Sequence, residues 1–169
     1  LTFFSDTPRA LATDGTTVYV AAFLSGNQTT VVNETAVNDG FGGNGVPGPA
    51  NNAALDPAPE VGVIVKKIGG NWVDADGTNR NGAVPFDLPD NDVFAVNATT
   101  LAKGTVFSSV GTVLLNMAVN PTSGKVYVTN TESPNEVLFE GPGNHGGSTV
   151  QGKLSLSRVT ILDPGGAQD

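Results

Sequence analysis

Two copies of the tripeptide Val-Tyr-Val, at Val18-Tyr19-Val20 and Val126-Tyr127-Val128, constrain this chain more than any other feature. Each follows a small-apolar run and a turn: Leu11-Ala12-Thr13-Asp14-Gly15 before the first, and Met117-Ala118-Val119-Asn120-Pro121-Thr122-Ser123-Gly124 before the second. A recurring unit of this kind is a piece of supersecondary structure that cannot bury its apolar face alone and must stack on neighbours. Two units make a very short stack.

No window shows apolar residues recurring at helical spacing, whereas short β-branched and aromatic runs bounded by Gly, Pro, Asn and Asp recur throughout. The chain is therefore expected to be all-β. Of its 169 residues 38% are hydrophobic, enough for one folded domain, while 22 Gly and 11 Pro make turns plentiful.

In the first unit, Pro8 to Thr13 turns at Asp14-Gly15 into an alternating strand from Thr17 to Phe23. In the second, Val113 to Asn120 passes through Pro121-Thr122-Ser123-Gly124 into Lys125 to Asn130, the same hairpin with a turn two residues longer. A third strand follows each, Asp92 to Asn97 and Arg158 to Asp163, both ending in Asn or Asp before turn chemistry. In the first unit a fourth strand, Thr105 to Ser109, leads into the opening strand of the second. Four antiparallel strands per repeat is the blade pattern of a β-propeller, whose ring takes roughly four to eight blades to close.

The expected organisation follows. Residues 1–7 read as the closing strand of a preceding blade, 8–110 as a blade carrying a large insertion at 24–90, and 111–169 as a second, incomplete blade with an insertion at 131–153. Loops this long are uncommon unless functional. The large one holds the Gly/Pro/Asn tract Asn38 to Pro59 and an extra hairpin, Val61 to Lys67 and Asn71 to Asp74 about Gly69-Gly70. With Leu1 rather than Met at its head, the chain reads as processed or as a piece of a longer polypeptide.

Pro8-Arg9-Ala10-Leu11-Ala12 through Val18-Tyr19-Val20-Ala21, and Met117-Ala118-Val119-Asn120-Pro121 through Val126-Tyr127-Val128-Thr129-Asn130, resemble the YVTN family of β-propeller repeats. Tyr127-Val128-Thr129-Asn130 carries the signature literally, and Gly111 to Pro121 with Asn135 to Pro142 is similar to a bacterial subgroup of exported propeller proteins. The resemblance covers the hairpins and third strands and leaves the insertions outside. It implies two four-stranded blades of a larger, seven-bladed ring, exported to the periplasm, cell surface or medium. The function it implies is that of a non-catalytic scaffold or binding segment that associates with protein through loops and blade edges. In related proteins such propellers are sometimes joined to c-type cytochrome modules, so the alternative is part of a redox or other enzyme assembly. A third arrangement, a self-contained β-sandwich, requires strands of the insertions to pair across a second sheet.

Charge narrows the partners. Sixteen acidic against eight basic residues give a net charge of −8, which repels nucleic-acid phosphates and anionic lipid. No apolar run approaches the ~20 residues that cross a bilayer. Cysteine is absent, which removes disulfides, thiolate metal sites and haem attachment within these residues.

The candidate sites are few. Asp74-Ala75-Asp76-Gly77-Thr78-Asn79 gathers Asp74, Asp76 and Asn79 in a turn, the hard-oxygen set that calcium prefers, although Asn79 and Pro85 stand where an EF-hand needs Gly and Glu. An ordinary solvated turn is the competing reading. Asp87, Asp90 and Asp92 could add ligands if the loop folds back, and otherwise form the turn that leads into a strand. His145, the one histidine, cannot build a multi-His site alone and is expected in an exposed loop. No Gly-x-Ser-x-Gly elbow occurs, and Gly40 to Gly48 lacks the Lys-Ser/Thr of a phosphate cradle. Trp72, with Phe41 and Phe86 near it in sequence, is expected in a core or cross-strand pair rather than as a docking face. Arg9 and Arg158 are expected to pair with local carboxylates. Triplets beginning at Asn27, Asn33 and Asn97 match the N-glycosylation pattern.

Overall fold

A computed structural model describes residues 1–32, 63–74, 77–135 and 155–165. Ten strands occur there: β1 (Pro8–Thr13), β2 (Thr17–Ala22), β3 (Thr29–Val32), β4 (Val63–Ile68), β5 (Asn71–Val73), β6 (Val93–Asn97), β7 (Lys103–Phe107), β8 (Val113–Val119), β9 (Val126–Glu132) and β10 (Leu156–Leu162). Among the described residues there is no α-helix, only a 3-10 turn at Asn81–Ala83. The chain is all-β, as its turn-bounded, β-branched runs dictate.

All pairings between these strands are antiparallel, in three sheets of order β1-β2-β6-β7, β10-β9-β8 and β3-β4-β5. The first two belong to one compact unit, made of Leu1–Asn27, Leu88–Pro134 and Leu154–Asp169; the third lies in the described part of a second unit, Gln28–Asp87.

The first two sheets repeat one another residue by residue. Tyr19 pairs with Ala12 on one side and Ala95 on the other, and Tyr127 pairs with Ala118 and Ile161 in the same places. Both first strands carry a register irregularity at the matching position, between Pro8 and Ala10 in β1 and between Leu114 and Asn116 in β8. The turns match as well. Asp14 Oδ1 accepts from the amides of Thr16 (2.8 Å) and Thr17 (2.7 Å), and Asn120 Oδ1 from Thr122 (2.9 Å) and Ser123 (3.2 Å). After the third strands, Asn97 Oδ1 accepts from Thr99 and Thr100, and Asp163 Oδ1 from Gly165. Short side chains that close an Asx turn thus recur wherever the repeat needs one.

The core of this unit lies between the two sheets. From the first come Tyr19, Ala21, Val93 and Phe107; from the second come Leu114, Met117, Val126, Val128 and Leu162, with Val110 between. Each fully buried Val or Leu here contributes roughly 1.5–3 kcal/mol by removal from water. Strands alternate faces at every residue, so the first sheet presents the face bearing its tyrosine. The second presents the face of Val126 and Val128, whose counterparts Val18 and Val20 lie on the far side of the first sheet. Two non-equivalent faces therefore meet.

Some boundaries differ from expectation. The fourth strand begins at Lys103 and ends at Phe107, because Ser109 takes φ +58° and turns the chain. Leu1 to Phe4 carries no strand; Phe3 stacks on Phe94 with ring centroids 4.5 Å apart, beneath Lys103. The second sheet has three strands among the described residues.

In the other unit, the hairpin β4–β5 turns at Gly69 and Gly70, both at positive φ, as a two-residue primed turn requires. β3 adds a short strand whose four residues gave too little alternation to be read from sequence. Val32, Val65 and Trp72 form its small core.

Candidate functional site

Asp92 is the most chemically unusual group of the described chain. It stands at the start of β6, fully buried, with its backbone in both ladders: its carbonyl accepts from Ala22 and its amide donates to Phe107. Its carboxylate Oδ2 accepts from the amides of Val110 and Gly111, while Oδ1 is buried with no hydrogen-bond partner. Burial, with a smaller push from neighbouring Asp90, raises its pKa to about 6, against the pull of the Ser25 hydroxyl and of the two amides.

The other end of Val110 is held from the second sheet. Its carbonyl accepts from Arg158 Nη2 (2.9 Å) and Thr160 Oγ1 (2.9 Å). Arg158 also pairs with Glu132 (3.0 Å), so it meets the local carboxylate expected of it. Glu132 Oε1 in turn accepts from Asn27 Nδ2 (2.7 Å), and buried Asn130 donates to Thr160 Oγ1 (2.8 Å) and to the Val128 carbonyl (3.0 Å). Asp90 completes the hold on the incoming segment by accepting from the Ser109 amide (2.8 Å). The result is a polar clamp on residues 108–112, the connection between the two repeats.

Gly111 is required by this packing. A Cβ there would come within 2.5 Å of Asn130 Oδ1. Gly26, beside the clamp, is tighter still, with a Cβ 2.0 Å from the Leu88 carbonyl oxygen.

Beside the clamp runs a cleft of about 360 Å³ lined by Ser109, Lys125, Arg158, Val159, Thr160, Ile161 and Asp163. Four consecutive β10 residues, Arg158 to Ile161, line it, so it follows the strand's backbone. β10 is the outer strand of its sheet among the described residues. Exposed apolar side chains flank it: Val159 is 59% and Ile161 42% exposed.

The sequence candidates fall as follows. Asp74 Oδ2 accepts from Arg80 Nε (2.8 Å) and Oδ1 from the Thr78 amide (2.8 Å). Asn79 Oδ1 accepts from the Asn81 amide (2.9 Å). Asp76, the third member of the calcium candidate, lies outside the described residues, as do His145, Phe41 and Asn33. Among the described residues no three His, Cys, Asp or Glu side chains gather as a metal site. Asp87 pairs with Lys67, and Asp90 and Asp92 serve the clamp. Trp72 is buried opposite Lys67 on the neighbouring strand, the cross-strand role expected of it, and Phe86 is exposed. Arg9 lies over the Phe23 ring, 5.4 Å from its centroid. Asn97 caps its turn, and the Asn27 amide belongs to Glu132 and Ser133.

Sequence reading placed Asp92 in a turn leading into a strand and missed the clamp. Its signal is a Ser-Val-Gly run before a repeat strand, and an acid one place ahead of a third strand where the other copy carries Arg158. No protein-family model, no curated protein and no solved structure matches the chain.

Proposed function

We propose that this chain is a non-catalytic segment of a β-propeller, part of an exported scaffold or binding protein that associates with other protein through its loops, open faces and strand edges. The observation that carries this reading is the packing of non-equivalent faces: the tyrosine face of the first repeat lies on the Val126/Val128 face of the second. A sandwich of two like sheets that face each other symmetrically buries the same face twice, whereas head-to-tail packing leaves one face of each kind free and continues into further copies. Identical register, matching irregularities and matching Asx turns support the same reading, as does the resemblance of both hairpins to propeller repeats.

The polar clamp ties the two repeats together and holds its side chains against backbone and one another, an arrangement suited to rigidity rather than turnover. Association then falls to the apolar faces and to β10, whose edge can take an added strand by backbone hydrogen bonding.

The test is the structure and activity of the full product of the reading frame that encodes these residues. Further sheets that repeat the packing of tyrosine face on valine face support the reading. A product in which unrelated elements cap both open faces, or in which a cleft lined by these sheets turns over a substrate, overturns it.

A further inference from the structure

Asp92 is served on one side only. Its Oδ2 takes the amides of Val110 and Gly111, while Oδ1, also buried, meets no hydrogen-bond partner. The Ser25 hydroxyl, 2% exposed, faces the same carboxylate, yet it donates to the Pro89 carbonyl at 3.2 Å. A buried carboxylate oxygen without a donor is costly when charged, and much less so when it carries a proton and can donate in its turn. The arrangement suits a neutral acid: a proton on Oδ1 makes that oxygen a donor and leaves Ser25 to serve Pro89.

The charged groups around the junction are engaged elsewhere. Asp90, two residues away, adds like charge. Residues 24–26 and 108–112 bring only hydroxyls, amides and apolar groups, and β8 carries no titratable side chain. Asp6 accepts from the Leu24 amide, and Arg158 of β10 is taken up by the Val110 carbonyl and by Glu132 of β9. Tyr19 of β2 is bonded to Asp14, and Lys103 of β7 to the Thr2 carbonyl.

We infer that Asp92 is a proton-operated latch on residues 108–112. Neutral, it holds the segment down; when it gives its proton to solvent, the charge is relieved by the segment lifting so that water reaches the carboxylate. The latch lies wholly within one compact unit, and Asp92 is already shut off from solvent there, so its action does not depend on what flanks the two sheets. It controls the seam between the repeats, because the same segment carries Val110, whose side chain fills the core and whose carbonyl binds Arg158 and Thr160. The seam is thus tighter in acid than at neutral pH.

Hydrogen exchange in the intact protein, followed amide by amide and corrected for the intrinsic rate, tests this. Protection of Val110 and Gly111 is expected to fall about tenfold per pH unit between about pH 4 and 6, roughly a hundredfold in all, and to level off above. It is expected to be lower than that of Val126 and Val128 and, unlike theirs, insensitive to low urea, because a local opening exposes little surface. Asp92→Asn, the neutral isostere, should flatten the pH dependence. Ser25→Ala, which removes the hydroxyl facing the ionised form, should carry the fall to higher pH. Where a variant does not fold, the Asp92 carboxyl carbon of the parent protein decides, expected to titrate at about pH 6 in step with the two amides. A midpoint near the ordinary value of about 4 overturns the inference. So does protection of Val110 and Gly111 that is constant with pH, or that matches Val126 and Val128 in rate and urea sensitivity.

Discussion

Asp92 and Arg158 stand at the same register position of successive repeats, one place before Val93 and Val159, and hold opposite ends of Val110. Asp92 accepts from its amide and Arg158 donates to its carbonyl. Opposite charges at equivalent sites thus meet on one neutral residue rather than on each other. The residue they hold lies in the connection between the repeats, and its side chain is itself part of the core.

Removing the acid should therefore be costly. Asp92→Ala leaves the Val110 and Gly111 amides buried without their acceptor, each worth about 1–3 kcal/mol. The expected loss is about 3 kcal/mol in urea unfolding. Arg158→Ala should cost less, near 1 kcal/mol, because Thr160 still serves the Val110 carbonyl and the Arg158 side chain is 39% exposed. Equal losses for the two variants would contradict the clamp as described.

Asp92 also sets a pH dependence opposite in sign to the usual carboxylate. Its pKa rises from 3.8 to about 6 on folding, so between those values the native state holds the proton and the unfolded chain does not. Its contribution is complete below pH 3.8, is lost as pH climbs to about 6, and amounts to about 3 kcal/mol in full. Asp92→Asn should remove this slope and gain on the parent protein as pH rises from 4 to 7. Asp14 works the other way: the Thr17 and Thr16 amides hold it at about 2, so its share is present above pH 3.8 and lost as pH falls toward 2. Denaturation curves at successive pH values check both signs.

Two glycines should resist any side chain. Gly111→Ala meets Asn130, which is 2% exposed and held by two hydrogen bonds of its own, and Gly26→Ala meets backbone at Leu88. Overpacking costs typically 1–3 kcal/mol, and Gly26→Ala should be the worse because a carbonyl moves less readily than an amide side chain. Midpoints of chemical unfolding rank them. A neutral Gly26→Ala would show that the loop at Leu88 is not seated as described.

The two tyrosines make a matched pair with unequal surroundings. Tyr19 is buried between the sheets, its hydroxyl bonded to Asp14 Oδ2 (3.2 Å), and burial raises its pKa. Tyr127 is half-buried on the outward face of the second sheet. Tyr19→Ala should cost about 3–5 kcal/mol, in the range of a large aromatic truncated in a core, and Tyr127→Ala less than half of that in the monomer. Thermal unfolding at low protein concentration distinguishes them.

Much of the architecture was legible because turns and β-branched runs act locally. Asp14-Gly15, Asn97 before Thr99, and Asn120 before Thr122 close their turns with side-chain oxygens a few residues away, so hairpins and third strands could be placed from sequence. The repeated Val-Tyr-Val string likewise fixed two equivalent units and their register. What sequence alone could not decide was which face of each unit is buried, since both faces of a strand such as Thr17–Ala22 are apolar. Only tertiary packing set Tyr19 inside and Tyr127 outside, turned Asp92 from a turn residue into a buried acceptor, and gave Gly111 its steric role. Those outcomes depend on contacts between residues 18 or more positions apart; local propensity carries no record of such distances, and burial and close packing decide them.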